Sequence, residues 1–176
     1  SGVPQVPGEP DQVETFGRDL LKASVTFDDL DSVVGNPATM TGWEGIAADA
    51  YHQHIRATAT DAGTISLTLR AAARAAQDYG DELRRLQVER ELIAEDREGY
   101  NARIDALELE VAKGTEQDAA WLTAWSEDLV EQRARLVDDL ATLTESTKTN
   151  DQSLIALLSA LDTMESARVT TSGGAP

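Results

Sequence analysis

The chain has 176 residues, with 32 Asp and Glu against 15 Lys and Arg, for a formal net charge of −17. Such an acidic excess opposes DNA, RNA and anionic bilayers as main partners, and the absence of cysteine excludes disulfides, thiolate metal sites and a cysteine nucleophile. No window approaches the roughly 20 apolar residues that span a bilayer, while 41% hydrophobic content, only 5% of the chain being aromatic, is enough for a packed core.

Proline placement sets the first boundaries. Pro4, Pro7, Pro10 and Pro37 precede an interval from Thr39 to Ala175 that has no proline, which permits long helices. Residues 1–10 read as an extended lead-in. From Asp11, a capping-type residue, Val13, Phe16, Leu20, Ala23, Phe27, Leu30 and Val34 step by three or four, predicting helix 1 over about 11–34. Gly35, Asn36 and Pro37 end it, and a turn leads to Trp43.

The next segment is heptad-regular. Tyr51, Thr58, Ile65, Ala72, Tyr79, Leu86, Ile93, Tyr100 and Leu107 fall seven apart, accompanied by Ile55, Ala62, Leu69, Ala76, Leu83, Arg90, Arg97, Ile104 and Val111. The pattern predicts a very long helix 2 over about 46–112, on the order of 100 Å at 1.5 Å per residue. Gly63, Gly80 and Gly99 are places to expect bends, each costing about 1 kcal/mol relative to Ala. Gly114 then caps the helix, and Leu122, Leu129, Leu136, Leu143, Asn150, Leu157 and Met164 carry a second heptad series. This predicts helix 3 over about 116–146. It either continues through the polar stretch Thr147–Asp151, as the unbroken heptad phase favours, or breaks there into helix 4 at about 151–167.

The predicted fold is all-α: an elongated antiparallel helical hairpin or bundle forming a single domain over 11–168, with 169–176 as a flexible tail or the start of a linker. Folding about Gly114 sets Leu122 near Leu107, Leu129 near Tyr100, Leu136 near Ile93 and Leu143 near Leu86. It also brings Arg90 towards Asp138 and Asp139, Arg97 towards Asp128 and Glu131, and Arg133 opposite Glu95 and Asp96, a charged middle that would hold the register. Helix 1 is long enough to cover helix 2 only from about Ile46 to Leu69, and the third helix covers it from about Ile65 onward. Each half of helix 2 would then have one neighbour, leaving apolar surface for a partner or for a homodimer that completes a four-helix bundle.

Thr41-Gly42-Trp43-Glu44-Gly45 joins helices 1 and 2 and runs into the Ala-rich segment that reaches Tyr51. Gly42 and Gly45 permit tight backbone around the indole of Trp43, which can cap both helix ends. A Trp-X-Gly between two amphipathic helices, followed by Ala-rich sequence and an aromatic, resembles the WXG family of type VII secretion substrates. With Pro7-Gly8-Glu9-Pro10 and the run AAARAAQDYGDEL ending past Tyr79, it is similar to the helical N-terminal domains of actinobacterial toxins exported by that route, over about the first 90 residues. The resemblance implies synthesis in the bacterial cytoplasm followed by export, a small helical WXG-like partner and the secretion machinery as contacts, and Trp43, Gly45 and Tyr51 as the partner and secretion motif. The family's Tyr-X-X-X-acid signal is not matched, since Ile55, Leu83 and Ile104 stand four residues after the three tyrosines.

Catalytic chemistry is poorly supplied. Asp49-Ala50-Tyr51-His52 has the acid-X-X-His spacing of bundle di-metal sites, but the chain has no second such pair, and His52 and His54 point to different helix faces. There is no Gly-rich phosphate loop and no Gly-X-Ser-X-Gly elbow. Trp121 and Trp125, one turn apart, read as hairpin core or as a small aromatic patch. The expectation is a non-enzymatic domain with no catalytic residue, cofactor, metal or nucleic acid, targeting a larger effector or toxin to secretion; the rival is a coiled-coil scaffold or adaptor unrelated to secretion. Eleven acids from Glu116 to Glu165 against Arg133, Arg135 and Lys148 favour a partner with basic residues.

Overall fold

A computed structural model describes residues 2–34, 46–113 and 119–172, and these are all-α, with no strand among them. Helix α1 spans Pro10–Val34, α2 Ile46–Ala112 and α3 Ala119–Ser172. Helix α1 starts one residue before the expected Asp11 because Pro10 suits a first helical position, having no N–H to leave unpaired. The carbonyl of Glu9 accepts from the backbone N–H of Gln12 at 3.1 Å and of Val13 at 3.3 Å. Its carboxylate accepts from Gln12 Nε2 at 2.8 Å.

Of the two alternatives for the C-terminal part, the chain takes the continuous one. The stretch Thr147–Asp151 lies inside α3. Its polar groups are absorbed locally: Thr147 Oγ1 donates to the Leu143 carbonyl at 2.8 Å, and Asn150 is buried. A side chain that bonds the preceding turn does not interrupt the ladder of a helix with unbroken heptad phase.

The described chain divides into two compact units. One joins Ser1–Gly8 to Glu82–Asp151 and the other joins Glu9–Asp81 to Gln152–Pro176. In the first unit, Leu83, Leu86 and Ile93 of α2 and Leu129, Leu136 and Leu143 of α3 are buried. Residues of the lead-in belong to this core: Val3 and Val6 are buried, and Gln87 Nε2 donates to the carbonyls of Val6 at 3.4 Å and Gly8 at 3.0 Å. Gly8 has φ +123, and a Cβ there would stand 2.8 Å from Leu83 Cδ2. The backbone conformation demands glycine at this position.

In the second unit, Ala72, Ala76 and Leu157 form a buried cluster, packed by Val13 and Leu20 of α1 and Leu154 and Leu161 of α3. Gly17 lets α1 approach closely, since a Cβ on it would meet the Ala73 carbonyl at 3.2 Å and Ala76 Cβ at 3.4 Å. This corrects the expected reach of helix 1. Its contacts with α2 extend past Leu69 to Ala73, Ala76, Gln77 and Gly80. Around Ala72 and Ala76, α2 therefore has α1 and α3 as neighbours together. The small side chains bring the helices near enough for both to fit.

Candidate partner interface

The Trp-X-Gly residues Trp43 and Gly45 lie outside the described residues. Tyr51 lies in the first turns of α2. The motif falls in sequence between the end of α1 at Val34 and the start of α2 at Ile46.

The expected charged register takes a different form. Arg90 occupies a heptad seam position, and its side chain is only 20% exposed, but its Nη1 pairs with Glu91 at 2.6 Å. Asp138 and Asp139 are exposed, as is Arg133. Among the described residues no ion pair joins Arg97 to Asp128 or Glu131, or Arg133 to Glu95 or Asp96. Arg103 does reach from α2 to α3: it pairs with Asp128 and donates from Nη1 to Gln132 Oε1 at 2.8 Å. The physical reason is reach. Arg103 stands at the flank of the seam, from which a long side chain extends to a neighbouring helix while its head stays solvated. Arg90 starts inside the seam and turns back along its own helix.

A second polar arrangement was not anticipated. Ser66 is buried, and its Oγ donates within 3.0 Å of the Ser24 carbonyl and 2.5 Å of Asp28 Oδ1. Asp28 also pairs with Arg70. Ser66 belongs to a column of Ala59, Ser66, Ala73 and Gly80, all buried and seven residues apart on α2. Gly17 and Ser24, also seven apart and buried, supply the α1 side. A heptad count that admitted Gly, Ala and Ser would have found this column.

Trp121 and Trp125 form an edge-to-face pair with ring centroids 4.7 Å apart and planes at 67°. Trp121 is 43% exposed and Trp125 is half-buried. On α2, Arg85 bridges Glu82 and Glu89, both at 2.7 Å. The Arg85 hydrogen bond holds the Glu82 carboxyl below its usual range, against a smaller desolvation effect, and the same bond raises the Arg85 guanidinium. Among the described residues no group of three or more His, Asp or Glu is placed to hold a metal ion, and no helix is long and apolar enough to cross a membrane. Comparison with known protein families, curated proteins and solved structures found no match.

Proposed function

We propose that the chain is a non-catalytic helical domain that targets a larger effector or toxin to type VII secretion through helix-to-helix docking with a small helical WXG-like partner. The observation that carries this reading is the position of Thr41-Gly42-Trp43-Glu44-Gly45 between two long helices, one ending at Val34 and the other beginning at Ile46. In this reading α2 and α3 pack as an antiparallel hairpin. The pairing of Arg103 with Asp128 and Gln132 supports that arrangement, as do the buried leucines of both helices. Export of a tagged full-length protein tests the function. Trp43→Ala is expected to abolish export while circular dichroism still reports a helical chain. Export of this variant at the wild-type level would remove the reading.

The second reading is a coiled-coil scaffold or adaptor with no link to secretion. It is favoured by the regular burial of Leu83, Leu86, Ile93, Leu129, Leu136 and Leu143, a seam that needs no export motif. Under this alternative Trp43→Ala changes stability alone. Light scattering adds a discriminant: the chain by itself stays monomeric if its partner is a different protein, and it forms a homodimer if two copies complete a bundle.

A further inference from the structure

Residues 3–8 of the first unit read Val-Pro-Gln-Val-Pro-Gly, a Val-Pro-X repeat. Proline fixes its own φ at about −65° and holds the preceding residue in the extended region, so Val3-Pro4 and Val6-Pro7 are set for a polyproline II helix before any contact forms. Such a helix turns once in about three residues and leaves its backbone carbonyls free of internal bonds. Burial follows that period: Val3 and Val6 are buried, whereas Pro4, Gln5, Pro7 and Gly8 are exposed. The free carbonyls are used as well, since Gln87 Nε2 donates to those of Val6 at 3.4 Å and Gly8 at 3.0 Å. Gly8 lies against Leu83 of the same helix face.

We propose that this face of α2 is a recognition groove for polyproline II segments with an apolar residue at every third position. The chain's own strap holds it in cis, and such a segment of a partner protein takes it in trans. The proposal does not rest on the secretion reading. Two features of the contact match this mode of recognition: a pre-ordered ligand that loses little entropy on docking, and a side-chain donor that reads its carbonyls.

The strap does not use all that the groove offers, and this favours a partner over a second copy. A cleft of about 490 Å³ remains beside it, bordered by Gln5 and Val6 of the strap and by Gln87 and Val88 of α2. Val88 is 62% exposed. A polar Gln5 leaves that apolar wall in water, and a segment with leucine in the same register would cover it. A partner segment of this kind can offset the advantage that attachment gives the resident strap. The strap of a second copy brings the same Gln5 and gains nothing.

The test uses the full chain with its strap released by Val3→Ser/Val6→Ser, and a fluorescein-labelled peptide of residues 2–10 followed by fluorescence anisotropy. The variant is expected to keep its helical circular dichroism and to bind the peptide saturably. Wild type is expected to bind about tenfold more weakly or less, because an attached strap acts at an effective concentration on the order of millimolar. A peptide carrying Gln5→Leu is expected to bind the released chain about threefold tighter than the native peptide. Gln87→Ala in that chain is expected to weaken both peptides about fivefold. A scrambled peptide whose valines are no longer three apart is expected not to bind. Should the double variant lose its helical signal, Gly8→Val releases the strap by a second route, since φ +123 opposes a β-branched residue. Loss of helix in both variants would make the strap a fixed part of the core and overturn the proposal. Absence of saturable binding, equal binding of the scrambled peptide, or indifference to Gln87→Ala overturns it too. Native and Gln5→Leu peptides that bind equally well overturn the partner assignment and give the groove to a second copy.

Discussion

The two units bury their helices by opposite means. Between residues 82 and 151 the core is large and aliphatic: Leu83, Leu86 and Ile93 of α2 and Leu129, Leu136 and Leu143 of α3 are all buried. In the other unit the contact between α1 and α2 is built from residues with almost no side chain, Gly17 and Ser24 against Ser66, Ala73 and Ala76. The first arrangement gains its stability from area removed from water. The second gains close approach, in which backbone and small side chains make dense dispersion contacts and a serine can bond a carbonyl of the facing helix. One heptad-bearing helix thus carries two kinds of seam, and its sensitivity to substitution should reverse along its length.

The largest test of this contrast is a pair of opposite substitutions. Leu86→Ala removes a fully buried side chain and leaves a cavity, with an expected loss of about 2–5 kcal/mol. Ala76→Leu, at a position equally inaccessible, forces extra volume against Gly17 and the Ala72–Leu157 cluster, with an expected loss of about 1–3 kcal/mol. Urea unfolding followed by circular dichroism measures both. A neutral Ala76→Leu would mean that the small-residue contact is loose, and the distinction between the units would fail.

The buried serine gives a finer test of the same contact. Ser66→Ala deletes a donor shared between the Ser24 carbonyl and Asp28, with an expected cost of about 1–2 kcal/mol. Asp28→Asn alone keeps an acceptor for Ser66 but neutralises the partner of Arg70. The double variant is expected to cost less than the sum of the singles, because the residues act as one network. Strict additivity would show that Ser66 and Asp28 contribute separately, and that the contact rests on packing alone.

Legibility in the sequence followed side-chain size. The end of α1 and both ends of α2 were readable from the sequence, and so was the passage of α3 through Thr147–Asp151 from the unbroken phase of Leu143, Asn150 and Leu157, whereas α3 runs on to Ser172, past the end expected at about 167. The leucine seam was readable because large apolar residues dominate any periodic count. The column Ala59, Ser66, Ala73 and Gly80 was not, since such residues add little hydrophobicity wherever they stand. Nor was the docking of residues 2–8, where two valines and a glycine give no periodic signal and the decisive facts are the φ of Gly8 and the bonds of Gln87. For the charged seam the positions of Arg90 and Arg97 were read from spacing, but partners depend on where a flexible side chain ends. The partner of Asp128 is accordingly Arg103. The motif residues Trp43 and Gly45 lie outside the described chain, so their evidence is still that of sequence.

The smallest expected effect comes from the exposed ion ladder on the leucine-rich unit. Arg85 hydrogen-bonds Glu82 and thereby holds its carboxyl below the ordinary value of 4.5. A depressed folded-state value means that folding favours the ionised form. The contribution is therefore present at pH above the unfolded value, and it is lost as pH falls through the folded one. Its size is limited because the side chains of Arg85 and Glu82 are 54% and 37% exposed, and water screens the pair. Glu82→Gln is accordingly expected to cost about 0.3–0.5 kcal/mol at neutral pH, the scale of a helix-surface pair. The difference from wild type should shrink as the pH is lowered below 4.5 and also as salt is added. A gap that widens in acid would reverse the sign assigned to Glu82. A gap comparable to that of Leu86→Ala would mean that this unit owes its stability to its charged surface rather than to its leucines.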